Sequence, residues 1–264
     1  AERRDRPDRG PGAGAAGGNR EDRGGDRGVR RLLMEPLRDL KNLQNGIYKR
    51  WVWRDMESYW CGMDGLQKIN YCIQDLNHEI GSLSDRPMKE VVFVISLVDW
   101  IRDAYNSDYK LLKPDIVASF TYQKEEYFQK AKNYLSAIRS FVVAHPLSTN
   151  RHAEYGFDGD MICVDIKSKQ DALALSLPNT QNWLYIGMDG IQRYGKEIPH
   201  DFLLMFYSKK MDKSQFFKYM GASYSDLYEV ARVYIDKLYA LDKYLSKQKR
   251  SDYIKKDVDG NGKT

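Results

Sequence analysis

Apolar residues recur at three- and four-residue steps through most of the chain, the spacing that one buried helix face requires. Leu33, Leu37, Leu40, Leu43, Ile47 and Trp51 predict a first helix, with Pro36 suited to its opening turn. Met56, Trp60, Met63, Leu66, Ile69, Ile73, Leu76 and Ile80 predict a second, stopped at Gly81-Ser82. A third apolar run covers residues 91–104, after Arg86-Pro87. Its Val-Val-Phe-Val-Ile start suits a strand, but the continuation through Leu97, Val98, Trp100, Ile101 and Ala104 favours a buried helix. Phe128, Ala131, Leu135, Ile138 and Val142 predict a fourth helix, ended by Pro146, since proline disfavours helical geometry in the residue before it.

The pattern changes after His152. Gly156, Gly159, Pro178, Asn179, Gly187 and Gly190 punctuate the next forty residues. Residues 161–166 are short, apolar and rich in β-branched side chains, so they predict a strand. Residues 183–186 predict another, and 172–177 a third. Helical signal resumes at 200–207 and 214–220. A long last helix opens at Ser223 or Ser225, with a seam of Leu227, Val230, Tyr234, Leu238, Leu241 and Leu245. The expected fold class is mainly α: a helical bundle with a small antiparallel β insertion.

Composition divides the chain further. Residues 1–28 hold 8 of the 20 glycines, with seven arginines set among six acids. Such a segment has almost nothing to bury, and a disordered tail is expected there. Its Arg-Gly steps suggest RNA contact, but its own acids leave it a net +1 of the chain's +5. The mild basicity therefore belongs to the lysine-rich body. The expected organisation is a tail over 1–28, a helical domain over 29–250 with a β excursion near 160–192, and a flexible tail over 251–264. The absence of an 18-residue apolar window or a signal-type apolar stretch predicts no membrane partner and a cytoplasmic location. Cys61, Cys72 and Cys163 lack CxxC spacing, so neither a disulfide framework nor an all-cysteine zinc site is expected. No metal and no cofactor is predicted.

Candidate chemistry concentrates in one stretch. Residues 139–152 place Arg139, His145, Asn150, Arg151 and His152 around one helix terminus, with three hydroxyl side chains. His78 and His200 fit helix-end or surface roles instead. On a straight α-helix His145 continues the seam of Ile138 and Val142, and Arg139 lies at its edge. Six residues turn by about 240°, so Arg139 and His145 face one another only if the last turn changes geometry or another helix or subunit completes the site. The helix C-terminus favours an imidazolium at His145 and the nearby arginine opposes it, which poises the histidine near neutrality.

Arg139-x5-His145, late in a helical bundle, resembles the motif of HEPN-domain proteins. Many members of that family are metal-independent ribonucleases of defence and toxin systems, with the arginine and histidine at a site where two HEPN units meet. The resemblance implies RNA as substrate and a homodimer as the active form. It implies that Arg139 stabilises the charged phosphorane, that His145 transfers a proton, and that Asn150, Arg151 and His152 help bind substrate. Attack by a ribose 2′-OH needs both a base and an acid. One chain supplies one such group at the motif, and a twofold dimer would supply two copies of His145. The alternative reading is a non-catalytic helical interaction or regulatory protein, with Arg139 paired to an acid on a neighbouring helix and His145 in the core.

Other signals are weaker or absent. There is no GxxxxGK[ST], GxGxxG after a strand, HExxH or GxSxG, which disfavours nucleotide-driven, dinucleotide, zincin and serine-hydrolase chemistry. Residues 257–263 resemble the start of a calcium loop, without the glutamate of its twelfth position. The basic stretch 243–256, with Tyr244 and Tyr253, has the composition of a phosphate- and base-binding surface, though a solvated helix end is commoner. The nineteen tyrosines mostly follow helix seams, as core packing requires.

Overall fold

The computed structural model describes residues 34–83, 88–144, 161–167, 183–194, 200–208 and 217–253. The helical elements among them are α1 (Met56–Glu79), α2 (Met88–Leu111), the single turn α3 (Pro114–Val117), α4 (Glu125–Arg139) and α5 (Tyr224–Lys247). Between α4 and α5 lie strands β1 (Met161–Lys167), β2 (Trp183–Gly187), β3 (Gly190–Tyr194), β4 (Phe202–Ser208) and β5 (Phe217–Ala222). The fold is mainly α, a helical bundle with a small β insertion. α1 packs along α2, while α2 and α4 both pack on α5. The apolar seams explain this arrangement. Ile73 and Leu76 of α1, Val91, Ile95 and Val98 of α2, Leu135 and Ile138 of α4, and Leu227 and Leu238 of α5 are all buried. Tyr134, Tyr228 and Tyr234 are buried too, and the Tyr228 hydroxyl donates to the Leu76 carbonyl at 2.5 Å.

The long helices begin where the chain supplies caps. Asp55 accepts a hydrogen bond from the Ser58 N–H at 2.7 Å and opens α1. Ser223 accepts from the Asp226 N–H at 3.2 Å and opens α5. The run at 91–104 is helical throughout.

Two expectations fail. The segment expected as a first helix over 33–51 has no α-helix in its described residues, only a 3-10 turn at Arg50–Val52. It crosses α1 and α5 as an irregular strap that buries Leu37, Leu40, Leu43 and Ile47. Asn77 of α1 accepts from the Leu37 N–H at 2.7 Å and donates to the Leu37 carbonyl at 2.9 Å. Asp242 of α5 accepts from the N–H groups of Gln44 and Ile47. These side chains satisfy backbone groups that a helix would have paired internally. Residues 200–207 and 214–220, expected as helical, contribute β4 and β5, so the sheet extends past 192 to Ala222.

The sheet order is β1-β4-β5-β2-β3. β1–β4, β4–β5 and β2–β3 are antiparallel, and β2 pairs parallel to β5. The sheet is therefore mixed rather than wholly antiparallel. The β2–β3 hairpin turns through Met188-Asp189, and Gly190 adopts φ 101°, a region that favours glycine. The Tyr185 hydroxyl of β2 lies 2.8 Å from the Ser223 hydroxyl and donates to Asp226 at 2.6 Å, tying the sheet to the start of α5. The strand expected over 172–177 lies outside the described residues.

Candidate functional site

Arg139 is the last residue of α4. The amphipathic pattern of α4 buries Leu135 and Ile138 and leaves the arginine at the edge of the seam, as its position beside Ile138 requires. Its side chain is 41% exposed. Its Nε lies 2.7 Å from Oδ2 of Asp99, on α2, whose side chain is only 10% exposed. Oδ1 of the same carboxylate lies 2.8 Å from Arg102 Nη2, close enough for an ion pair though not aligned as a hydrogen bond. Arg102 also meets Asp103 at 2.9 Å.

Asp99 is thus a buried acid between two arginines. Burial pushes its carboxyl above the ordinary value, while Arg102 and Arg139 draw it back down. Its effect on Arg139 is orientational. It occupies the Nε edge of the guanidinium, and neither Nη group has a hydrogen-bond partner among the described residues. A guanidinium held at one edge and open at another can offer paired N–H groups to a phosphate.

The chain does not continue as an α-helix beyond Arg139. Ser140–Ala144 forms a π-helical turn. With i→i+5 pairing each residue advances less about the axis than in an α-helix, so Ser140–Ala144 do not carry on the α-helical spacing of the α4 seam. Phe141 is buried and Val143 is exposed. Trp100, next to Asp99, is exposed as well. His145, Asn150, Arg151 and His152 lie outside the described residues.

Asp99 was not singled out in the sequence. Its signal was nevertheless there: an acid inside the apolar run Val98-Asp99-Trp100-Ile101 must either be exposed or find a cation. The other candidates fall elsewhere. His78 is exposed, 3.8 Å from Glu79, and His200 is buried. Tyr244 donates to the Ile116 carbonyl at 2.7 Å, and Tyr253 packs on Trp51 with ring centroids 5.8 Å apart. These two tyrosines are engaged in packing rather than displayed beside the basic residues. The calcium-like run at 257–263 lies outside the described residues. Among the described residues no group of three or more His, Cys, Asp or Glu is placed to hold a metal ion. No described helix is long and apolar enough to cross a membrane.

No family model matches the chain, and no match is found among curated proteins or solved structures.

Proposed function

We propose that the chain is a HEPN-like, metal-independent endoribonuclease that works in the cytoplasm as a homodimer, with Arg139 stabilising phosphate charge and His145 transferring a proton. The Arg139–Asp99 pair is the contact that the non-catalytic alternative expects, so it favours neither reading by itself; what supports the nuclease reading is that the arginine stays half exposed and is followed at once by a π turn. π-helical turns recur at functional sites, where they re-aim side chains. Asn150, Arg151 and His152 follow closely enough in sequence to contribute to substrate binding. A second copy would bring the second His145 that acid–base chemistry needs, and two exposed side chains close in sequence to the pair, Trp100 after Asp99 and Val143 after Arg139, supply apolar surface for that contact.

The test is RNA cleavage in EDTA by wild type, His145→Ala and Arg139→Ala. Loss of about a hundredfold or more in each variant is expected, the scale of a general acid–base group or an oxyanion-stabilising donor. Equal cleavage by wild type and His145→Ala overturns the assignment.

A separate observation favours the non-catalytic reading. Met56, Trp60 and Tyr71 stand exposed along α1. Exposed aromatic side chains of this kind suit a protein-binding face. On that reading the variants of Arg139 and His145 are silent in RNA assays, while Trp60→Ala abolishes partner capture.

A further inference from the structure

A second concave site lies about three helical turns along α4 from Arg139, at the other end of the helix. It is a cavity of about 420 Å³, within the size range of small-molecule sites. Its walls are the rings of Tyr105 and Tyr109 from α2, Phe120 and Tyr122 from the loop after α3, and Phe128 from α4. Tyr105 and Tyr109 lie close to parallel, with centroids 6.2 Å apart and planes 26° from one another. Phe120 stands 6.5 Å from Tyr109.

The polar groups in this cavity restrict what it can hold. Lys237 of α5 gives hydrogen bonds to both carboxylate oxygens of Glu125, at 3.0 and 2.8 Å. Its ammonium also sits 3.5 Å from the Phe128 ring centroid and 5.5 Å from that of Tyr122. The cation-binding faces of those two rings are therefore already occupied by the protein's own lysine. A quaternary ammonium or methylated amine would meet a like charge there. A free phosphate gains little either, because Glu125 neutralises Lys237. The side chains of Asn106 and Thr121 face no protein hydrogen-bond partner among the described residues. Tyr105 is 4% exposed, and its hydroxyl has no partner among the described residues. What remains is the half-buried rings of Tyr109 and Phe120, one amide that can donate and accept, and the hydroxyls of Thr121 and three tyrosines.

We infer that this cavity binds a nucleobase, stacked on the half-buried rings of Tyr109 and Phe120 at its mouth and hydrogen-bonded at its edge by Asn106. A neutral planar heteroaromatic ring can use the part-exposed ring faces and the amide together. An asparagine amide matches the paired donor and acceptor of an adenine edge. The base can arrive as a free nucleoside or as part of a single strand, since both present the same ring. The inference does not rest on the catalytic reading of Arg139.

The test is calorimetric titration of the Arg139→Ala protein, alone and with Asn106→Ala or Phe120→Ala added, using adenosine, hexaadenylate and tetramethylammonium. Thermal melts of each variant check that the fold is kept, and Asn106→Ala removes no buried ring. Saturable binding of adenosine, weakened about tenfold or more in each variant, is expected, the effect of losing one stacked ring or one edge contact. Hexaadenylate binding at least tenfold tighter than adenosine assigns the site to a strand, and equal or weaker binding assigns it to a free nucleoside. Failure of both nucleobase probes to bind at millimolar concentration overturns the inference. So does binding unchanged in either variant, or displacement of adenosine by tetramethylammonium. Because the protein carries Arg139→Ala throughout, base binding and RNA cleavage fail or succeed separately.

Discussion

Asp108 sits on α2 with 3% of its surface exposed and Gly65 of α1 packed directly against its carboxyl. One carboxyl oxygen has no hydrogen-bond partner among the described residues. Desolvation alone pushes the group from 3.8 up to about 8. The native state therefore keeps a proton that the unfolded chain releases across this window. Stability should fall as pH rises from about 4 to about 8 and level off above it. Asp108→Asn keeps the shape and removes the titration. At pH 7 the variant is expected to be more stable than wild type by up to roughly 4 kcal/mol, with little difference near pH 4. Urea melts at pH 5 and pH 8 check this, and a wild type that loses no stability relative to Asp108→Asn between them refutes it. The same scale shows what a single sequence conceals about a site. Arg139 was legible from its spacing to His145, but Asp99, which orients it, lies forty residues earlier on another helix. Only the packing of α2 against α4 brings the two together.

At the scale of elements, legibility followed the physical origin of each pattern. α1, α2, α4 and α5 were readable because each has a seam with helical period and a cap or stop within its own sequence. The strap over 34–49 carries the same period without being a helix. Its apolar residues face α1 and α5, and Asn77 and Asp242 supply the backbone hydrogen bonds from distant parts of the chain. β4 misled differently. Phe202-Leu203-Leu204-Met205-Phe206-Tyr207 is a continuous apolar run, and a strand buried on both faces has no alternation to reveal it. The strap also shows how α5 ends. Lys49 Nζ donates to the carbonyls of Leu245, Ser246 and Gln248 at 2.7–3.1 Å, where a helix terminus leaves carbonyls unsatisfied. Asp242 is the anchor of this arrangement. Asp242→Ala should destabilise the protein by about 3 kcal/mol or more, since two hydrogen bonds to a buried carboxylate are lost. Asp242→Asn, which keeps an acceptor, should lose less. Gly46→Ala should act in the same direction, because a Cβ there would collide with the backbone of Asp242 and Ser246. Denaturant melts in which Asp242→Ala is no less stable than Asp242→Asn, or in which Gly46→Ala is as stable as wild type, would show that the strap is not held at this point.

The whole molecule presents two chemically distinct ends of one helix pair. At one end are Asp99, Arg102 and Arg139, and at the other the aromatic cavity with its neutralised lysine. The proposed chemistry places the reacting phosphate at the first end and needs a second copy of the chain there. That requirement can be tested away from the reacting groups. Trp100 is exposed and follows Asp99 on α2, and Lys68 of α1 lies over its ring, with Nζ 5.0 Å from the centroid. Trp100→Glu removes apolar area from the proposed contact and sets a charge beside Lys68, where an exposed pair costs the fold little. Light scattering should show a dimer for wild type and a monomer for the variant. The thermal midpoint should change little, and RNA cleavage in EDTA should fall with the loss of dimer. Raising the concentration of Trp100→Glu should restore part of the activity, because its Arg139 and His145 are intact. A monomeric wild type that still cleaves RNA would remove the second subunit from the mechanism. The proton-transfer partner of His145 would then have to come from the same chain, with His152 as the nearest histidine in sequence.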